Sequence, residues 1–99
     1  MSVTIYKQTD VDIAIAVTGI DVGDITDMTI ELEGPVNGSP AIHRFTKVDG
    51  DITFTGSEIN LRIEDDEITT AGTYMIRITA NEGGNLRGLT PDPGWIKVE

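Results

Sequence analysis

The chain has 99 residues, of which 38% are hydrophobic, so it can bury one core of the size found in a single small β-domain. It contains no cysteine, which excludes a disulfide framework and a thiolate-bound metal. Seventeen acidic residues against seven basic ones give a net charge of −10, which makes nucleic acid and anionic membranes poor partners. We therefore predict that residues 1–99 form a single acidic domain.

The same sequence carries no signal for a membrane or for export. No apolar run approaches the ~20 residues that span a bilayer. The N-terminal residues show no basic segment followed by a long apolar run, as a secretion signal would. We expect the chain to fold inside the cell that makes it, unless it is trimmed from a longer parent.

The first part of the chain alternates between apolar and polar residues, which is typical of strands with one buried face. A first strand is predicted around Val3 and Ile5, and a second at 11–17, where the alternation is clearest. Ala14 and Ala16 lie on the polar side of the second strand. They make that side less polar than solvent would demand, so we expect a neighbouring element or a partner to cover it.

Three more strands are predicted in the middle of the chain. The third covers 28–33 and ends where Gly34 and Pro35 interrupt the pattern. The fourth covers 41–48, and its expected apolar anchors are Ile42, Phe45 and Val48. Their uneven spacing predicts a bulge or an edge position. The dipeptide Asp49-Gly50 predicts a tight turn before a short fifth strand at 52–55.

Residues 58–80 contain two strands joined by a polar segment too long for a tight hairpin. Between the strands lie an acidic half-turn, one apolar Ile68, and then Ala71, Gly72 and Tyr74. This order resembles the corner that crosses between the sheets of immunoglobulin-like sandwiches, where a tyrosine hydroxyl bonds to backbone a few residues upstream. We therefore predict Ala71, Gly72 and Tyr74 as a structural corner, preceded by one helical turn at 66–69.

The last part of the chain reads as a hairpin loop at 81–85, a return strand at 86–89, an interruption at 90–94 and a final strand at 95–98. No segment has a convincing helical period. Seven to nine short strands with turn signals about every 8 to 12 residues predict an all-β, immunoglobulin-like antiparallel β-sandwich.

No catalytic, cofactor-binding or metal-binding residue is predicted. His43 is the only histidine, which excludes a two-histidine zinc site, and no Ser/His/Asp set can be proposed from spacing. Acidic clusters at 21–27 and 64–67 invite a calcium hypothesis, but neither fits the EF-hand pattern, and aspartates commonly cap turns. A glycosidase would need two carboxylates across a cleft, and a 99-residue domain with five aromatic residues has little room for one, so we predict no enzyme.

Several segments together resemble a known family. The opening strand followed by Asp10-x-Asp12, the Ile-Thr-Asp-Met-Thr-Ile-Glu-Leu run at 25–32, the Ile-x-Leu-x-Ile strand at 59–63 and Ala-Gly-Thr-Tyr at 71–74 are similar to immunoglobulin-like modules of phage tails and baseplates. The Asn-Leu-Arg-Gly-Leu ending at 85–89 fits the same pattern. The resemblance is closest to the N-terminal module of upper baseplate proteins of phages that infect Gram-positive bacteria.

The resemblance implies a non-enzymatic virion protein, in the tail, the baseplate or the head decoration, that is assembled in the cytoplasm of a bacterial host. It would need no cofactor, and its partners would be other virion proteins or further copies of itself, bound through strand edges or a sheet face. The predicted contact residues are Tyr6, Ala14, Ala16, Pro91 and Trp95. The alternative is an immunoglobulin-like binding module of a bacterial surface or secreted protein that takes a glycan or calcium.

Overall fold

The computed structural model describes residues 2–17, 23, 25–36, 38, 41–55 and 58–99. They form ten strands and no α-helix. In chain order the strands are β1 Ser2–Ile5, β2 Val11–Val17, β3 Ile25–Gly34, β4 Ala41–Thr46, β5 Ile52–Thr55, β6 Glu58–Ile63, β7 Gly72–Glu82, β8 Asn85–Leu89, β9 Pro91–Asp92 and β10 Trp95–Val98. Within these ranges no helix could cross a membrane.

The strands pair into two sheets of different size. The large sheet has the order β1-β10-β7-β3-β4, and β8 also pairs with β7. The small sheet has the order β5-β6-β2-β9. β1 runs parallel to β10, and every other pair is antiparallel. β10 pairs with the start of β7 and β8 pairs with its end, so both lie along the same edge of that strand.

One apolar core joins the two sheets. Because side chains alternate between the faces of a strand, the predicted apolar positions of β2, β3, β6 and β7 all point inward. Those that are fully or almost fully buried are Ile13, Ile15, Met28, Ile30, Leu32, Ile59, Leu61, Ile63, Tyr74, Ile76, Ile78 and Ala80. Each large side chain stabilises the fold by about 1.5–3 kcal/mol relative to leaving it exposed. The prediction of an all-β, sandwich-like fold is confirmed.

The predicted number of strands is wrong by one. The tenth strand is β9, in which Asp92 pairs with Ala16 and Pro91 with Val17 on the small sheet, between two strands that belong to the large sheet. Two residues are too few to show an alternating pattern, and Pro91 has no N–H to contribute to a ladder. The interruption at 90–94 was therefore predictable from the sequence, but the pairing of this segment with the small sheet was not.

The fourth strand lies at the edge of the large sheet, as predicted, but two of its three expected core anchors are wrong. Phe45 is buried, whereas Ile42 is 52% exposed and Val48 is 80% exposed. Residues 42 and 45 are separated by an odd number, so in a regular strand they point to opposite faces. The strand ends at Thr46, and Val48 lies in the turn that Gly50 N–H closes on the Lys47 carbonyl at 3.1 Å.

The segment between β6 and β7 crosses from the small sheet to the large one. The Tyr74 hydroxyl donates a hydrogen bond of 2.7 Å to the Thr70 carbonyl, four residues upstream, and burial raises the pKa of this hydroxyl. The expected helical turn at 66–69 is wrong. A single turn forms at 64–67 instead, two residues earlier than predicted, and Glu67 N–H closes it on the Glu64 carbonyl at 3.1 Å.

Candidate protein-binding surface

The five predicted contact residues lie in three separate places. Ala14 and Ala16 point to solvent from the small sheet, and Pro91 pairs with the residue that follows Ala16. Tyr6 follows β1 and is 64% exposed. Trp95 opens β10 in the large sheet and is 40% exposed. No single contact surface can therefore use Trp95 together with the two alanines.

The outer face of the small sheet is polar around the alanines. Ala14 lies opposite Asn60, and the neighbouring pair is Asp12 with Arg62. The Arg62 guanidinium lies 3.2 Å from Asp12, 3.4 Å from Asp10 and 3.5 Å from Glu64. Asp12 contributes most to raising the pKa of Arg62. The charged side chains around Arg62 on this face therefore already have partners.

Two of the four carboxylates in the acidic cluster at 64–67 have internal partners: Glu64 lies 3.5 Å from Arg62, and Glu67 accepts a bond within the turn. Glu67 Oε1 accepts a hydrogen bond of 2.8 Å from Glu64 N–H, and Asp10 Oδ1 accepts one of 2.8 Å from Asp65 N–H. These carboxylates therefore serve as turn and loop acceptors. In the part of the chain that the structure describes, no group of three or more acidic or histidine side chains could hold a metal. Asp21 and Asp24 of the other predicted cluster lie outside that part.

His43, the other residue considered for chemistry, is half-buried on β4. Its ring centroid lies 5.9 Å from that of Tyr74, with the rings tilted by 56°. Aromatic pairs at this distance and tilt contribute packing energy. The geometry gives His43 a structural contact, and no pocket is found among the described residues beside it or elsewhere.

The large exposed apolar side chains of the strands lie mainly on the outer face of the large sheet. Trp95 pairs with Met75, Met75 with Glu33, and Glu33 with Ile42, so these four residues form one row across β10, β7, β3 and β4. Trp95, Met75 and Ile42 are 40%, 49% and 52% exposed. Since neighbouring strands are about 4.8 Å apart, the row is roughly 14 Å long.

Charged residues surround this row. The outward residues next to it along the strands include Lys97, Arg77, Glu31 and Arg44. The four residues of the row and these four charged residues together are called the large-sheet patch: Trp95, Met75, Glu33, Ile42, Lys97, Arg77, Glu31 and Arg44. The patch has three basic and two acidic residues, so its net charge is +1 on a chain whose net charge is −10.

Two charges of the large-sheet patch have no ion pair within the described residues. Glu31 binds Arg44 at 2.8 Å, and Lys97 lies 3.2 Å from Glu99. Glu33 and Arg77 form no such pair, although they lie on adjacent strands, two residues apart in register, with Arg77 directly opposite Glu31. The patch thus offers three apolar side chains and two unpaired charges of opposite sign.

Sequence reasoning singled out Trp95 but missed the rest of the patch. Ile42 was expected in the core, and Met75 lies between Tyr74 and Ile76, on the polar side of the alternating pattern. A methionine on the solvent side of a strand was the one available signal, because exposed Met is enriched at interfaces. The row itself depends on which strands become neighbours, and local alternation does not contain that information.

Comparison with known proteins adds nothing to this geometry. No family model, no curated protein and no solved structure matches the chain.

Proposed function

We propose that the chain is a non-enzymatic, immunoglobulin-like structural module of a phage virion that acts through protein–protein assembly. Its place would be the tail, the baseplate or the head decoration. The resemblance of its sequence segments to baseplate modules supports the class of particle. The large-sheet patch supports the mode of action.

The strand order supports the immunoglobulin-like part of the proposal. In such domains one sheet contains the strands usually lettered D, E, B and A, and the other contains G, F, C and C′. Here β5-β6-β2 follow the order D-E-B, with β9 at the position next to B, and β10-β7-β3-β4 follow the order G-F-C-C′. The hydroxyl bond of Tyr74 to Thr70 is located as in a tyrosine corner, at the start of the strand equivalent to F.

The observation that carries the assembly proposal is the row of Trp95, Met75 and Ile42. Isolated exposed apolar residues are common on protein surfaces, but contiguous ones rimmed by polar residues mark interaction sites. Trp95 and Met75 are adjacent, and Glu33 lies between Met75 and Ile42. Aromatic residues, Met and Arg are also the types enriched at interfaces, and all three occur in the large-sheet patch. A flat sheet face of this kind suits another protein surface better than a small molecule.

Mass spectrometry of purified particles tests the proposal. Virions are isolated on a density gradient from cells that carry the gene, and a soluble host protein of similar size serves as the contamination control. We expect peptides of this chain at a fixed ratio to known tail or head proteins across the particle peak. Peptides found only outside that peak, at the level of the control, would contradict a virion role.

The alternative, a surface module that binds a glycan or calcium, makes a different prediction. It requires a melting temperature that rises with added calcium, or binding on a glycan array. For the virion module we expect no change in melting temperature between buffers with calcium and with a chelator, and no glycan signal above that of an unrelated β-domain.

A further inference from the structure

We propose that the large-sheet patch binds a second copy of this chain in a two-fold symmetric dimer, in which Glu33 of each copy faces Arg77 of the other. The inference rests on the proposed assembly function and names the first partner in that assembly. It follows from the charges of the patch, the unpaired residues within it and the size of the face.

The charge distribution favours a second copy over a strongly charged partner. Two chains with a net charge of −10 repel each other over most of their surface. The large-sheet patch is the exception, because its charges nearly balance: its net charge is +1, or zero together with Glu99, which lies 3.2 Å from Lys97. The electrostatic repulsion between two copies is therefore smallest when these faces meet. A highly basic or highly acidic partner would meet like charges in the same area.

The two unpaired residues of the patch are complementary under two-fold symmetry. In such a dimer, if residue i of one copy contacts residue j of the other, then j also contacts i. A contact between Glu33 and Arg77 is therefore made twice. Met75 lies next to both residues, opposite Glu33 and two positions from Arg77 in its own strand, and falls close to the symmetry axis. Both lone charges are therefore paired in one arrangement.

The face is large enough for a stable contact. The molecule measures 37 × 23 × 22 Å between its outermost Cα positions, and strands of 10 and 11 residues run through the centre of the large sheet. A contact that covered the whole outer face, of which the patch is a part, would bury at most roughly 800 Å² per copy, which is about the area that each partner buries in a standard specific interface.

Sedimentation equilibrium of the intact chain and of charge-swap variants tests the dimer. Samples from about 10 μM to about 1 mM are compared in about 0.3 M NaCl, which screens the general repulsion. We expect the wild type to reach twice the monomer mass. Glu33→Arg and Arg77→Glu should each weaken the dimer at least about tenfold, because each brings like charges together. The double variant should restore the affinity to within about threefold.

The two single variants control for each other. Glu33→Arg makes the net charge less negative and Arg77→Glu makes it more negative, so a shared weakening cannot come from net charge. A second matched pair tests the apolar row. Ile42→Glu and Val48→Glu each add one negative charge at an exposed apolar site, but only Ile42 lies in the patch. We expect loss of the dimer with Ile42→Glu and no change with Val48→Glu.

A wild type that stays monomeric at about 1 mM would overturn the inference without any variant. A double variant as weak as the single ones would overturn the pairing of Glu33 with Arg77, provided that circular dichroism shows all variants folded. These outcomes are separate from those of the proposed function. If the chain is a monomer but is found in virions, the assembly role stands and the dimer is wrong. If it is a dimer but is absent from virions, the dimer stands and the virion role is wrong.

Discussion

At the scale of single residues, the two tyrosines of the chain have opposite roles. Tyr74 is buried at the start of β7, and its hydroxyl bonds to the Thr70 carbonyl across the corner between the sheets. Tyr6 is 64% exposed, and only its backbone carbonyl accepts a bond, from the Thr9 hydroxyl. Removing the hydroxyl from each tyrosine in turn therefore isolates the contribution of the buried one to stability.

We predict that Tyr74→Phe lowers the stability of the fold by about 1–2 kcal/mol, because the ring still packs while the hydrogen bond is lost. For a domain of this size the melting temperature should fall by roughly 4–15 °C. Tyr6→Phe should change the free energy of unfolding by no more than about 0.5 kcal/mol. Thermal melts followed by circular dichroism check both, and equal effects would mean that the corner bond contributes nothing.

Glu67 carries a charge that opposes folding. Burial raises the pKa of Glu67, and the neighbouring Asp51, Asp66 and Glu64 raise it further, against the hydrogen bond from Glu64 N–H. A carboxyl group whose pKa is higher in the folded state destabilises that state once it is ionised. The destabilisation is present above the folded pKa and disappears as the pH falls below the unfolded value of about 4.3.

Glu67→Gln should therefore raise the melting temperature at pH 7 by roughly 1–3 °C, since the amide oxygen can still accept the bond from Glu64 N–H. Below about pH 4 the variant and the wild type should melt together. Glu58→Gln, which removes one exposed carboxylate elsewhere, controls for the change in net charge. An equal gain from Glu58→Gln, or a gain that persists at low pH, would contradict this explanation.

At the scale of elements, the end of β3 and the start of β7 approach so closely that only glycine fits. A Cβ at Gly34 would lie 2.6 Å from the Thr73 carbonyl oxygen and 2.9 Å from the Tyr74 ring. Gly72 has a φ of +142° and faces Pro35, and a Cβ there would overlap the proline ring. The corner thus depends on a gap that the two glycines leave.

Gly72→Ala should destabilise the fold by about 2 kcal/mol or more, because the backbone conformation and the lack of space both disfavour a side chain. Gly88→Ala is the matched control, since Gly88 also lies in a strand but has open space around it. We expect its stability to change by about 0.5 kcal/mol at most. Urea titrations give both values, and a Gly72→Ala domain as stable as Gly88→Ala would show that the corner can relax.

The elements also show what the sequence could predict. Alternation in β2, β3, β6 and β7 was regular enough to assign most of their buried side chains, since one face of each strand is in the core. It missed Ile25, which lies before the irregularity in register between 25 and 27. It failed at β4, an edge strand whose Ile42 points outward, and at β9, which is too short to have a pattern. The large-sheet patch could not be predicted, because Trp95, Met75 and Ile42 come into one row only through pairing between distant strands.

At the scale of the whole molecule, charge and surface polarity are distributed unequally. The small sheet presents ion pairs around Arg62 to solvent, whereas the large sheet presents apolar side chains and a balanced set of charges. A net charge of −10 favours solubility, and the assembly that we propose would use the large sheet. This division is the basis of both proposals.

The fluorescence of Trp95 tests the role of the large-sheet patch most directly, because it is the only tryptophan and lies within the patch. It is excited where tyrosine does not absorb, and quenching by acrylamide is measured at increasing protein concentration. We predict that the emission moves to shorter wavelength and that quenching weakens as the chain associates, with the same change in Val48→Glu and none in Ile42→Glu. Emission and quenching that stay constant over the whole range would contradict assembly through this face.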